Sequence, residues 1–320
     1  MKTIYIMCPA QSGSGGPELL HQLSDKLINY NFKVYFYYYG PNLDNPTYPD
    51  FKNYKINIAS SIPDSENNII ICPETSPRLL LKYKKCIKVI WWLSVDNYYA
   101  KIKLSKKSII LDKLHLYFNP KSTKYLHFVQ SRYAREHVKS LGVSSNRIYD
   151  LSDYLNKDFI NIGLRNNKEK ENIILYNPKK GLEYTRLLSK QDYQHKYQWI
   201  PLMNFTRSEM IEMLCKAKLY IDFGNHPGKD RIPREAVICK CCIITNKKGS
   251  AYYNDDVDIA DEYKFDTDTT SLSTIMNKIN DIMSNYNQHY NNFESYRIKI
   301  ANEEEIFNKQ ILSIFNQLCK

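Results

Sequence analysis

Short apolar runs recur along the chain, separated by longer stretches of mixed character. Ile4-Tyr5-Ile6-Met7-Cys8, Ile69-Ile70-Ile71-Cys72 and Val89-Ile90-Trp91-Trp92-Leu93 are too short for core helices and too uniformly apolar for strands with one wet face. Such runs read as strands buried on both faces. The pattern predicts strands over 2–8, 33–39, 68–72, 87–93, 126–130 and 147–150, with helices over about 16–30, 76–84, 105–115 and 131–141. Residues 156–171 lose this periodicity and are expected to be a linker. The alternation then restarts, with strands over 172–177, 196–201, 218–223, 241–245 and 257–259 and helices over about 181–189, 206–216 and 232–239. Strands spaced by helices imply parallel sheets with both faces covered. The expected fold is therefore α/β, with two Rossmann-like parallel-sheet domains at 1–155 and 172–300. Residues 270–318 hold two helical patterns. In the last, Ile306, Ile311, Leu312, Phe315 and Leu318 share one face of Glu303–Leu318, so the C-terminal helix within 301–320 is expected to pack back toward the first domain.

Composition narrows the class. With 320 residues, 43% hydrophobic and 25% charged, the chain is long enough for two packed domains and is neither disordered nor fibrous. No apolar run approaches a membrane span, and the N-terminus lacks the features of a secretory leader. Eight Cys lie scattered inside apolar segments, where Cys acts as a small hydrophobe, and this predicts a reducing, cytoplasmic setting. The Cys239-Lys240-Cys241-Cys242 cluster lacks two further ligands at zinc spacing, so no metal is expected. A formal charge of +11 admits nucleic acid, an anionic membrane surface or anionic substrates as partners. The cations are scattered rather than striped and no RNA-binding signature is present, which argues against nucleic acid. A local Lys excess at Lys101, Lys103, Lys106, Lys107 and Lys121 reads either as a surface for peripheral contact with an anionic inner membrane face or a lipid-diphosphate acceptor, or equally as solvated surface enriched by coding bias.

Three strand-to-helix turns carry the chemistry. The first strand ends in Gln11-Ser12-Gly13-Ser14-Gly15-Gly16-Pro17, a Gly-rich turn that would present backbone N–H groups at a helix N-terminus. It matches neither the dinucleotide fingerprint nor the P-loop, and it reads equally as a plain tight turn. The second half opens with Asn177-Pro178-Lys179-Lys180-Gly181, placing Lys179 and Lys180 where open α/β sheets hold ligands. The third turn, Asn225-His226-Pro227-Gly228-Lys229-Asp230-Arg231-Ile232-Pro233-Arg234-Glu235, combines close backbone approach at Gly228, three cations suited to a diphosphate (Lys229, Arg231, Arg234) and a carboxylate suited to a ribose hydroxyl (Glu235). His226 is a candidate for a phosphate or other ligand contact, or a turn residue without chemistry. In the first half, Asp96 and Glu74 follow strand ends and are the candidate general bases. Asp96 reads also as a helix cap, and Trp91-Trp92 before it as a sugar platform.

In this order the turns resemble those of GT-B glycosyltransferases, particularly the family 4 or group 1 type, over most of the chain. The resemblance implies two domains facing across a cleft, with an acceptor side first and a nucleotide-sugar side second. It places Gly15 and Gly16 under the donor phosphates or acceptor, Lys180 beside Gly181 on the diphosphate, and Glu235 on the donor ribose. It implies sugar transfer from a nucleotide-sugar donor to a glycan or lipid-linked acceptor in bacterial surface polysaccharide synthesis, with no cofactor and no metal. Two departures stand out. Pro227 occupies the position, eight residues before Glu235, where retaining members carry a second Glu, and Leu175-Tyr176-Asn177 lacks the Arg that usually precedes the Lys. A GT-B epimerase or phosphorylase, a non-catalytic GT-B protein and a nucleic-acid-binding protein are the alternatives.

Overall fold

The computed structural model describes residues 2–103, 122 and 124–320, the side chains of 101–103 excepted. The helix expected at 105–115 and Lys106, Lys107 and Lys121 therefore lie outside the described residues, as do the side chains of Lys101 and Lys103. The chain divides into two compact units, Met1–Asp153 with Glu305–Lys320, and Tyr154–Glu304.

The first unit is built on a parallel sheet of β1 (Thr3–Pro9), β2 (Val34–Tyr39), β3 (Asn68–Pro73), β4 (Ile87–Trp92), β5 (Tyr125–Val129) and β6 (Ile148–Asp150), in the order β2-β1-β3-β4-β5-β6. Ile4, Ile6, Ile70, Ile71, Val89 and Ile90 are wholly buried, as their unbroken apolar runs require. The chain leaves β1 toward β2 on one side and leaves β3 toward β4 on the other, so a crevice opens between β1 and β3 at their carboxyl ends. Where a helix was expected at 76–84, the proline at Pro77 opens only a 3₁₀ turn, Pro77–Leu80. A helix at Val95–Lys103 follows β4 instead. The C-terminal residues Glu305–Lys320 belong to this unit. Phe315 is fully buried, its ring 6.0 Å from that of Phe32 and 5.8 Å from that of Phe128. That is the return of the last helix expected from its apolar face.

The second unit is a parallel sheet of β7 (Glu171–Tyr176), β8 (Gln198–Pro201), β9 (Ala217–Asp222), β10 (Cys242–Asn246) and β11 (Lys264–Phe265), in the order β11-β10-β9-β7-β8. Its crevice falls between β7 and β9, which again leave in opposite directions. The edge strand is Lys264–Phe265 rather than 257–259, whose Val257 and Ile259 enter the core from irregular chain. The stretch expected as linker contains a helix, Lys157–Arg165, capped by the Asn156 side chain on the Asp158 N–H at 2.9 Å. Phe159 and Gly163 are its buried residues, and Gly163 meets Ile238 so closely that a Cβ there would overlap its side chain and carbonyl. Two buried positions in nine residues leave too weak a period to see in sequence. All eight Cys are free and buried. Among the described residues, no helix is long and apolar enough to cross a membrane.

Candidate functional site

In the first unit, the crevice between β1 and β3 is a pocket of about 380 Å³. Ser12, Ser14 and Gly16 line it from the Gly-rich turn, Glu74 and Thr75 from the end of β3, Ser94 from the turn after β4 and Asn97 from the start of helix Val95–Lys103. Helix Gly15–Asn29 starts here with no side-chain cap from Ser14, so its first N–H groups are not claimed by a local side chain. Gly16 packs on Leu93, at 3.4 Å from where a Cβ would stand, and Gly15 is exposed. Glu74 is only 2% exposed, and its Oε2 accepts the Leu93 N–H at 2.9 Å. That bond fixes the carboxylate in the pocket wall. Asp96 lies between the lining residues Ser94 and Asn97 but does not itself line the pocket, and its Oδ1 accepts the Tyr133 hydroxyl at 2.9 Å. Asp96 also raises the pKa of the neighbouring His137, against a larger lowering by burial.

The Trp pair forms no platform. Trp91 and Trp92 are fully buried, their indole N–H groups donating to the Leu151 carbonyl and to His127 Nδ1, each at 3.0 Å. A run buried on both faces of the sheet leaves neither ring at the surface.

In the second unit, the turns after β7 and β9 meet backbone to backbone. Gly181, at φ +59°, precedes helix Leu182–Ser189, and a Cβ there would stand 2.6 Å from the Gly224 nitrogen. A Cβ on Gly224 would in turn run into Lys180 Cβ, with Lys180 Cα at 2.9 Å. Two glycines thus let Lys180 reach the chain that follows β9. Lys179 is exposed, while Lys180, half-buried, forms an ion pair with Asp230 Oδ2. Gly228 is buried with its carbonyl accepting the Ser250 hydroxyl, so its backbone is tied inward.

His226 is fully buried between two carboxylates. Its Nε2 lies 3.4 Å from the Asp222 carbonyl and 3.8 Å from Asp222 Oδ1, and its Nδ1 lies 3.1 Å from Asp230 Oδ2. Burial alone would lower the His226 pKa, but Asp222 and Asp230 outweigh it and the pKa is raised. Burial pushes Asp230 up, while His226 and Lys180 overcome this and lower it. Donor atoms of Asp222, His226 and Asp230 all lie within 4.8 Å of one another, a spacing a metal ion can bridge. Because each imidazole nitrogen faces a different carboxylate and Lys180 already sits on Asp230, the arrangement is a compensated ion network rather than an open coordination site.

Two of the other predicted cations, Lys229 and Arg234, are engaged by Glu303. Arg234, 1% exposed, donates through Nη1 to Glu303 Oε2 at 2.6 Å and through Nη2 to the Lys229 carbonyl at 3.1 Å. Lys229 Nζ lies 2.8 Å from Glu303 Oε1. Arg231, half-buried, is the first residue of helix Arg231–Ile238, and Glu235, 8% exposed, lies one turn into it. Sequence reasoning missed Asp222, Asp230 and Glu303. The first two were visible as carboxylates four residues either side of His226, whereas Glu303 lies 69 residues from Arg234 and left no local signal.

No protein-family model matches this chain. No curated protein matches it either. Solved structures do. A glycosyltransferase from Rickettsia africae ESF-5 superposes with a TM-score of 0.65 at 13% identity, covering 100% of this chain and 99% of that one. Anabaena HepE, in complex with UDP-glucose, gives 0.60 at 12% identity over 98% and 99%. Sucrose-phosphate synthase from Thermosynechococcus elongatus gives 0.65 at 11% identity over 99% of both chains. At such identities the likeness establishes the fold, which is that of the GT-B glycosyltransferases, with two Rossmann-like units spanning essentially the whole chain.

Proposed function

We propose that the chain is a nucleotide-sugar-dependent glycosyltransferase, with the donor diphosphate held at the turns after β7 and β9 and the acceptor in the pocket of the first unit. The observation that carries this reading is the Gly181–Gly224 contact, which brings Lys180 to the carboxyl end of the second sheet beside helix Arg231–Ile238. A cation, a helix N-terminus and close backbone approach at a topological switch point are what a diphosphate requires. The crystallised complex of a similar fold with UDP-glucose supports the same ligand class.

In this reading Lys180 and Arg231 neutralise the leaving diphosphate, Glu235 receives a ribose hydroxyl, and Lys229 and Arg234 shape the loop through Glu303. The acceptor hydroxyl attacks the anomeric carbon as the bond to the phosphate oxygen breaks. Of the two candidate bases, Glu74 is the one in the pocket wall, among hydroxyl-bearing side chains that suit a sugar. The acceptor is a glycan or lipid-linked saccharide of surface polysaccharide synthesis, reached from the inner membrane face. Calorimetry with uridine, guanosine and deoxythymidine diphosphate sugars, alongside single-stranded DNA, tests the reading. Saturable binding of one nucleotide sugar, followed by its slow hydrolysis, is expected, and binding of the polymer alone overturns it.

A further inference from the structure

Lys180 and His226 converge on a single atom. His226 Nδ1 stands 3.1 Å from Asp230 Oδ2, the oxygen with which Lys180 Nζ forms its ion pair. The two partners differ in freedom. His226 is sealed in, with its carbonyl accepting the Ser250 N–H at 2.9 Å and Gly249 packed on that same carbonyl. The Lys180 side chain is 25% exposed and hangs on one carboxylate.

We propose that His226 is a positioning residue that acts through Asp230, its proton competing with the Lys180 ammonium for one oxygen, so that an anion drawing Lys180 away is bound together with a proton on His226. The proposal rests on the reading of Lys180 as the cation that meets the donor diphosphate. With a neutral imidazole, Asp230 has Lys180 as its counter-charge, and withdrawing Lys180 strands a buried carboxylate, which is costly. With an imidazolium between Asp222 and Asp230, both carboxylates keep a cationic neighbour and Lys180 is released at less cost.

The charged groups around the imidazole act on its proton in opposite senses. Asp222 on β9 and Asp230 before helix Arg231–Ile238 favour its proton, while Lys180 from the turn after β7 opposes it. One step outward, Tyr220 donates to Asp222 Oδ2 at 2.9 Å and is held neutral first by burial and then by Asp222, Asp230 and Glu235. The chain after β10 brings the Ser250 N–H onto the His226 carbonyl and the Ser250 hydroxyl onto the Gly228 carbonyl, while Lys248 of that stretch is paired with Asp268.

The experiment has two arms. In the absence of ligand, the His226 imidazole is titrated by NMR in the wild type and in Lys180→Met. Removing the competing ammonium is expected to raise the His226 pKa, and an unmoved pKa overturns the proposal. In the second arm UDP-glucose, whose diphosphate stays fully ionised over the range used, is titrated calorimetrically from about pH 5.5 to 8.5. Affinity is expected to fall with rising pH, by at most about tenfold per unit for one linked proton, and to become flat in His226→Gln. Wild-type affinity independent of pH overturns the proposal. If UDP-glucose and the guanosine and deoxythymidine sugars all fail to bind, the donor reading fails, and the ligand-free titration alone decides whether the competition exists.

Discussion

Arg234 Nη1 lies 2.6 Å from Glu303 Oε2, with both side chains buried, and Lys229 closes on the other oxygen of the same carboxylate at 2.8 Å. Two of the three cations that suggested a phosphate loop thus hold the loop's shape. Removing the carboxylate leaves two buried cations facing each other. Glu303→Ala is expected to destabilise the protein by about 3–5 kcal/mol, the usual cost of breaking a buried pair from one side. Chemical denaturation checks this. A loss below about 1 kcal/mol, as for exposed pairs, would show that Glu303 is not buried as described.

Gly224 separates a structural requirement from a chemical one. A methyl group there meets the Cα and Cβ of Lys180, so the turns after β7 and β9 must part. Gly224→Ala is expected to cost about 1–3 kcal/mol in stability, as overpacking does, and to weaken nucleotide-sugar binding more than tenfold because Lys180 moves with the turn. Binding and melting curves of the purified variant test both parts, and unchanged binding would remove the glycine contact from the site.

How much of this was legible in sequence follows from the range of each interaction. The two α/β sheets and the returning helix of Phe315 were readable because burial on both faces leaves unbroken apolar runs and an amphipathic helix leaves a period. Lys180 and His226 were found because they lie in turns that follow apolar strands. Their meeting at Asp230 was not, since it depends on β7 and β9 becoming neighbours, and no local pattern encodes that pairing. The same limit explains why Trp91-Trp92 read as a platform, for an aromatic pair at a strand end looks alike whether a helix covers it or not. It also explains the edge strand, where two residues of β11 give no alternation to detect.

The two candidate bases now make different predictions. Glu74 is fixed in the pocket wall by the Leu93 N–H, whereas Asp96 is engaged by Tyr133. Glu74→Gln keeps the shape and an acceptor for that N–H but removes the basic carboxylate. In an inverting reaction it should lower turnover by ~10²–10⁴ with donor affinity kept. Asp96→Asn should instead cost about 1 kcal/mol of stability through the Tyr133 bond and leave turnover nearly unchanged. Steady-state kinetics of the two variants, with the anomer of the product assigned by NMR, decide between them, and the reverse ranking would restore Asp96 as the base.

The ion network of His226 also sets a pH window for stability. The His226 pKa is raised in the folded protein above its ordinary 6.5, so its contribution is complete below that value and is lost as pH rises through the folded pKa. Asp230 is lowered beneath its ordinary 3.8, so its contribution is present above that value and is lost as pH falls through the folded pKa. Both contributions are therefore whole between about pH 4 and 6.5 and fade on either side, each in the direction fixed by its own shift. His226→Gln retains most of the side-chain volume and hydrogen-bonding capacity but cannot carry the proton. The gap in melting temperature between wild type and this variant is expected to be widest inside that window and to narrow steadily toward alkaline pH. A gap that instead widened as pH rose would mean that His226 is neutral in the folded protein and that the two carboxylates are balanced by Lys180 alone.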